Sequence, residues 1–363
     1  MNRITRSVLG LVASTALVAV AVPSPTSAGP PDRDQVEVVS EGPRPSLEGV
    51  TVDKSGNVFV TSTLTGELLK FAPGSSDFEV FGTIDGWASA GSGAGFLGLA
   101  TDAKGNIYGA VQWDGLTGVY KFDRRTGDEA LIAGTDQMSF PNAIAFDKVG
   151  NMYITDSNST GILCSPPPGS VPLGDVGGAI WRVDRNGNAM KWFESAQLGG
   201  TCIGPGSTPV GANGIAYRKG VLTVANNEGF SLWTVPIEGD GSAGDIALLA
   251  GLGATPDWPF LDGPFGPLPA LPDGIALDVH GGIYVASVAQ NALFRVNTDG
   301  SVDVLFHDPT GEVLNVPSSI AFGTGKGFKQ TVYTVNLAFA PTPLFAPASL
   351  VAIDVGVPGM PLP

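Results

Sequence analysis

Six stretches of this chain are worn copies of one another, and that repetition excludes most folds before any residue is given a role. Aligned on the turn after their first strand, they begin at Ser46 (SLEGVTVDKSGNVFVTS), Gly95 (GFLGLATDAKGNIYGAV), Phe140 (FPNAIAFDKVGNMYITDS), Gly211 (GANGIAYRKGVLTVAN) and Leu271 (LPDGIALDVHGGIYVAS). A sixth, stretched at its turn, begins at Val316 (VPSSIAFGTGKGFKQTVYTV). Each reads as strand, tight turn, strand, because apolar and small residues alternate on either side of a glycine-containing turn. A third strand follows every copy (GELLKFA, GVYKFD, AIWRVD, SLWTVPI, ALFRVN, SLVAIDV), and a fourth follows the first five. Four-stranded units repeating every ~45 to 70 residues are the blades of a propeller, whereas the strands of a sandwich do not repeat in sequence. The expected fold is therefore all-β, a six-bladed β-propeller with four-stranded blades. Because only three strands of the sixth copy lie downstream, Gln35 to Ser40 (QVEVVS) is expected to supply its outermost strand and close the ring, removing an exposed edge.

A repeat that fills residues 45–354 argues for one domain. Before it lie residues 1–28 and an N-terminal segment, 29–44, that includes the closing strand 35–40; after it comes a tail, 355–363. Residues 1–28 combine two arginines, the apolar run VLGLVASTALVAVAV and small residues ending at Thr26-Ser27-Ala28. That is the pattern of a secretory signal peptide, and the run is too short to anchor in a bilayer. A secreted, extracytoplasmic protein is expected, with no membrane span once the leader is gone. It would keep 17 basic against 34 acidic side chains, a formal charge of −17. Nucleic acid is then not an expected partner, since its binding depends on cationic side chains. The only two cysteines, Cys164 and Cys202, are expected to form a disulfide in an oxidising compartment. A thiol nucleophile or a metal site is the alternative.

Five residues before the end of each first strand (Asp53, Asp102, Asp147, Arg218, Asp278 and Gly323) stand Glu48, Leu97, Asn142, Asn213, Asp273 and Ser318. The first strand of a blade is innermost, so these six positions converge at one mouth of the central channel. Four carry a carboxylate or carboxamide oxygen. An Asn-Gly or Asp-Gly pair alone would be an ordinary turn; the same register in four copies points to a shared purpose. Two carboxylates facing each other repel and buried carboxamides need partners, and a cation resolves both. An oxygen set without His or Cys suits one hard ion, Ca²⁺ before Mg²⁺, and disfavours Zn²⁺. Glu48, Asn142, Asn213 and Asp273 are the candidate ligands.

The ordered set Glu48-Gly, Pro-Asn142, Asn213-Gly and Pro-Asp273-Gly, each leading a strand-turn-strand, resembles the regucalcin, gluconolactonase and luciferin-regenerating-enzyme family of six-bladed propellers. It also resembles the related calcium-dependent phosphotriesterases and paraoxonases. The likeness implies a Ca²⁺ in the channel held by these four residues and hydrolysis of lactones, esters or organophosphates. Paraoxonase-type members hold a second calcium with acids just after the Glu and the first Asn; Gly49 and Ala143 stand there, so that ion is not expected. A pocket histidine serves as base in several members, yet His280 and His307 fall in a far turn and on an outer strand.

The function expected is that of a secreted Ca²⁺-dependent hydrolase of lactones or related esters, acting as a monomer on a small molecule. Asp273 is the candidate nucleophile or base, with Glu48 second. Ser318 is a candidate hydrogen-bond donor to substrate. Asp156, fourteen residues past Asn142, is a candidate to orient a water or accept from Asn142. The long insertions (157–178, 196–210, 251–271, 337–348) all fall on the ligand-bearing face, and Trp258, Phe260 and Phe339 are expected to form an apolar rim for an acyl or aryl group. The rival readings are a non-catalytic binding propeller with a structural ion, and a phosphotriesterase or a metal-free strictosidine-synthase-like enzyme.

Overall fold

A computed structural model describes residues 36–161, 177–201, 208–263, 266–338 and 347–363. The leader, Cys164, Cys202 and Phe339 lie outside these residues. Within them the chain forms six four-stranded antiparallel sheets and one two-stranded hairpin. Blade one runs Leu47–Val52, Val58–Ser62, Glu67–Phe71 and Phe78–Thr83; blade five runs Pro272–Leu277, Ile283–Ser287, Ala292–Val296 and Val302–His307. Blades two, three and four repeat this order with innermost strands Gly93–Thr101, Pro141–Phe146 and Ala212–Arg218. In blade six the strands Pro317–Phe322, Thr331–Asn336 and Ser349–Asp354 are joined by Val36–Glu41, which pairs antiparallel to the last of them with Val38 opposite Val351.

The side chains explain why the sheets stand face to face around an axis. Second strands such as Val58–Ser62, Met152–Asp156 and Ile283–Ser287 are buried at every residue, whereas outermost strands such as Phe78–Thr83 are at most half-buried. A strand covered on both faces must lie between two other sheets. The apolar core accordingly divides into six clusters, one at each junction between neighbouring blades. Phe59, Leu68 and Ile84 of blade one meet Phe96, Ile107 and Phe122 of blade two, and Val50, Val60 and Phe71 meet Tyr333, Val335 and Leu350 of blade six. Each fully buried Phe or Leu stabilises the fold by about 1.5–3 kcal/mol, so every junction holds its blades firmly.

The tail crosses the far end of the channel. Pro358 O accepts from Val279 N (3.1 Å), Met360 N donates to Leu277 O (2.9 Å), and Gly359 fits against Phe322, where a methyl group would sit 2.2 Å from Phe322 Cβ. No helix among the described residues is long and apolar enough to cross a membrane.

Candidate functional site

All six innermost strands break register at the same place. Blade one pairs Leu47 with Ser62 and then Val50 with Val60, so Glu48 and Gly49 together face Thr61. The same shift falls between Phe96 and Leu99, Pro141 and Ile144, Ala212 and Ile215, Pro272 and Ile275, and Pro317 and Ser319. A β-bulge leaves a residue without a cross-strand partner and re-aims its side chain. The bulged residues are those at the six equivalent positions. They sit within the strands, one residue after the start where blades three and five open with proline, rather than in turns ahead of them.

Glycine then lets the strands close on each other. A methyl on Gly49 would lie 2.3 Å from Leu97 O, one on Gly98 2.5 Å from Asn142 O, one on Gly214 2.3 Å from Asp273 O, and one on Gly274 2.8 Å from Ser318 O. Hydroxyls complete the circuit: Thr155 Oγ1 donates to Asn213 O (2.7 Å) and Ser318 Oγ to Glu48 O (2.9 Å). Going round, Glu48 adjoins Leu97, Leu97 adjoins Asn142, and so through Asn213, Asp273 and Ser318 back to Glu48. Residues up to 270 apart in sequence thus form one closed ring.

Glu48, Asn142, Asn213 and Asp273 are all buried. Glu48 Oε2, Asn142 Oδ1 and Asp273 Oδ1 have no hydrogen-bond partner. Ion pairs among the described residues take up Glu67, Glu79, Glu194 and Asp278, and neither ring carboxylate. Burial, followed by the charge of Asp273, pushes the Glu48 carboxyl well above its ordinary range. Burial also raises Asp273, opposed in part by a hydrogen bond from Asn213. Orphaned acceptors from separate blades, two of them carboxylate oxygens, are what a cation would satisfy, and the hardness of oxygen favours Ca²⁺ or Mg²⁺. No group of three or more His, Cys, Asp and Glu gathers among the described residues, and the candidate set, with two carboxylates and two carboxamides, is not of that kind.

Other expected site residues are placed differently. Ser318 is wholly buried and gives its hydroxyl proton to backbone carbonyls, so it ties blade six to blade one rather than reaching a substrate. Asp156 is committed to structure: it accepts from Phe140 N (2.8 Å), Ser139 N (3.2 Å) and Trp181 Nε1 (3.2 Å), holding the connection into blade three. Asn142 donates to Ser157 instead. Trp258 belongs to the core between blades four and five, edge-on to Phe294 with ring centroids 5.3 Å apart, and is no part of a rim. Phe260 does face solvent, 62% exposed, on the hairpin Phe260–Leu261/Leu268–Pro269. Gln290 Nε2 donates to Pro269 O (2.7 Å) and fastens that hairpin to the loop after the second strand of blade five.

One group escaped the sequence reading. Glu228, in the loop after the second strand of blade four, is buried with Thr201 N donating to it, and burial lifts its carboxyl to about 7. Its signal was an acid between Asn227 and Gly229 on the ligand-bearing face. Thr61 and Thr155, opposite the bulges of blades one and three, were also passed over. Each accepts from a bulged N–H and donates to the next blade, Gly49 N to Thr61 Oγ1 (2.7 Å) and Thr61 Oγ1 to Leu97 O (3.1 Å) in the first case.

No protein-family model matches the sequence, and no curated protein matches it significantly. Solved structures do. A calcium-binding protein, regucalcin, from Agrobacterium tumefaciens is similar with a TM-score of 0.62 at 16% identity, over 90% of this chain and 95% of that one. A luciferin-regenerating enzyme gives 0.61 at 13%, over 90% and 97%. A gluconolactonase from Xanthomonas campestris gives 0.57 at 16%, over 90% and 89%. At these identities the likeness establishes the fold, the one the resemblance implied.

Proposed function

We propose that this chain is a divalent-cation-dependent hydrolase of lactones or related esters, with Ca²⁺ as the natural ion and the ring of innermost strands as its active site. One observation carries the reading: three buried oxygens without partners, Glu48 Oε2, Asn142 Oδ1 and Asp273 Oδ1, on alternate strands of one closed ring. The gluconolactonase and regucalcin neighbours support it by sharing the fold, and secretion is part of the proposal through the leader pattern.

Glu48, Asn142, Asn213 and Asp273 would hold the ion, and the bound ion would supply positive charge to the substrate's carbonyl oxygen as negative charge grows there. The chain's own residues do the rest. Asn213 stands beside Asp273 and opposes the upward push of burial on its carboxyl, whose Oδ1 has no partner. We assign the Asp273 carboxylate the role of taking the proton of the attacking water, or of attacking the acyl carbon itself while the ester C–O bond breaks and water then releases the acid. Glu48 supplies the second negative charge that selects a dication. Leu97, at the position blade two contributes, gives the ring an apolar wall.

The test is turnover of a panel of lactones, aryl esters and phosphotriesters, with Ca²⁺ and with a chelator. Chelator-sensitive hydrolysis of one class supports the proposal. Activity and melting temperature that are both indifferent to chelator would remove the ion from the account.

A further inference from the structure

A carboxamide can present either its oxygen or its NH₂ to the axis, and only the oxygen can face a cation. Beside Asn213 stands the Asp273 carboxylate, which only accepts and so favours the NH₂ turned toward it. The Asn142 carboxamide is oriented through a serine hydroxyl instead. Its Nδ2 donates to Ser157 Oγ (3.1 Å), and Ser157 Oγ donates to Ala212 O (2.5 Å), the residue before Asn213. A hydroxyl has one proton, and a backbone carbonyl can only accept. With that proton committed to Ala212, Ser157 can meet Asn142 only as an acceptor, which forces the NH₂ toward Ser157 and the oxygen away from it. Asn142 Oδ1 is indeed the buried atom left without a partner. The Ser157 backbone is held in place, since its N donates to Phe140 O (2.9 Å) and its O accepts from Gly211 N (3.0 Å), between blades three and four.

We infer that Ser157 is a positioning residue that locks the Asn142 carboxamide with Oδ1 toward the channel axis. The inference deepens the proposed function and rests on it for the ion. Partners behind a metal ligand typically govern about 10- to 100-fold in affinity, and the lock should act only while residue 142 is an amide, because a carboxylate presents oxygen whichever way it turns.

The experiment is a double-mutant cycle read by Ca²⁺ calorimetry on the full chain. Ser157→Ala should weaken Ca²⁺ binding by about 10- to 100-fold in the Asn142 background and by no more than ~3-fold in an Asn142→Asp background. Ser157→Thr, which keeps the hydroxyl, should restore binding. Equal losses in both backgrounds, or no loss, would overturn the lock. If the wild-type protein takes up no Ca²⁺ the proposed function falls, and hydrogen exchange of the Asn142 side-chain amide in cation-free protein then decides the lock separately. Protection lost on Ser157→Ala supports it, and exchange unchanged by the substitution overturns it.

Discussion

Blades one, three, four and five carry polar residues at both ends of the innermost strand, and the two ends treat their carboxylates in opposite ways. At the far end Asp53, Asp102, Asp147 and Asp278 close the turn into the second strand. Asp53 accepts from Ser55 N, Asn57 N and Asn57 Nδ2, and Asp147 accepts from Val149 N, Asn151 N and Asn151 Nδ2. Asp278 accepts from three backbone N–H groups and pairs with Arg295. Burial alone would raise Asp102, but hydrogen bonds from Asn106, Lys104 N and Tyr108 outweigh it and leave the carboxyl below its ordinary range. Five residues earlier in the same strands, Glu48 and Asp273 are buried with oxygens unmatched. Repetition marks both ends equally. Only the unmet bonding capacity separates a residue that builds a turn from one that awaits a ligand.

Substitutions at the two ends should therefore differ in kind. The largest effect is expected at Asp273: Asp273→Ala should cut turnover by about 10³-fold or more and abolish the rise in melting temperature on adding Ca²⁺. Without Ca²⁺ the variant should melt no lower than the parent, since an unpaired buried carboxylate has been removed. Turnover that survives would erase the distinction between the ends.

At Asp278 the reverse pattern is expected. Asp278→Ala strands Arg295 and three N–H groups, and should lower unfolding free energy by about 3 kcal/mol, measured with urea, while the Ca²⁺ affinity stays as it was. A loss of affinity as large as that at Asp273 would show the two ends to be one unit.

Gly214→Ala sharpens the comparison from the backbone side. The new methyl would press on Asp273 O, so strands four and five of the ring must part, at a cost of about 1–3 kcal/mol, with weaker Ca²⁺ binding. An equally stable variant with parental affinity would mean the close approach is not needed.

The smallest effect is a pH dependence at Glu228. Its folded-state pKa is raised to about 7 from an ordinary 4.5 by burial, so the fold favours the neutral acid. The stability this group allows is complete below pH 4.5 and declines as pH rises through 7. Glu228→Gln should match the parent's melting temperature near pH 4.5 and exceed it above pH 7; a constant offset at all pH values would contradict the burial.

The repeat made the fold legible, because six copies of one strand-turn-strand pattern admit few architectures, and the shared register made four ring residues legible with it. The bulge was not visible: Asp-Gly and Asn-Gly look the same in a turn and in a strand that gives way around a close neighbour. A long insertion of prolines and aromatics reads as exposed, yet the indole of Trp258 fills the junction of blades four and five. Asp156 looked like a free acid until the two N–H groups and the indole that use it were seen. Contacts between segments distant in sequence decide such cases, and no local pattern encodes them.

Whether one cation sits on the axis among four blades is decided by a crystal grown with Ca²⁺, with anomalous data collected to place the ion. A single strong peak is expected about 2.4 Å from oxygens of Glu48, Asn142, Asn213 and Asp273. A peak at the turn aspartates of the far end, or a ring of side chains hydrogen-bonded to each other with no ion among them, would contradict it.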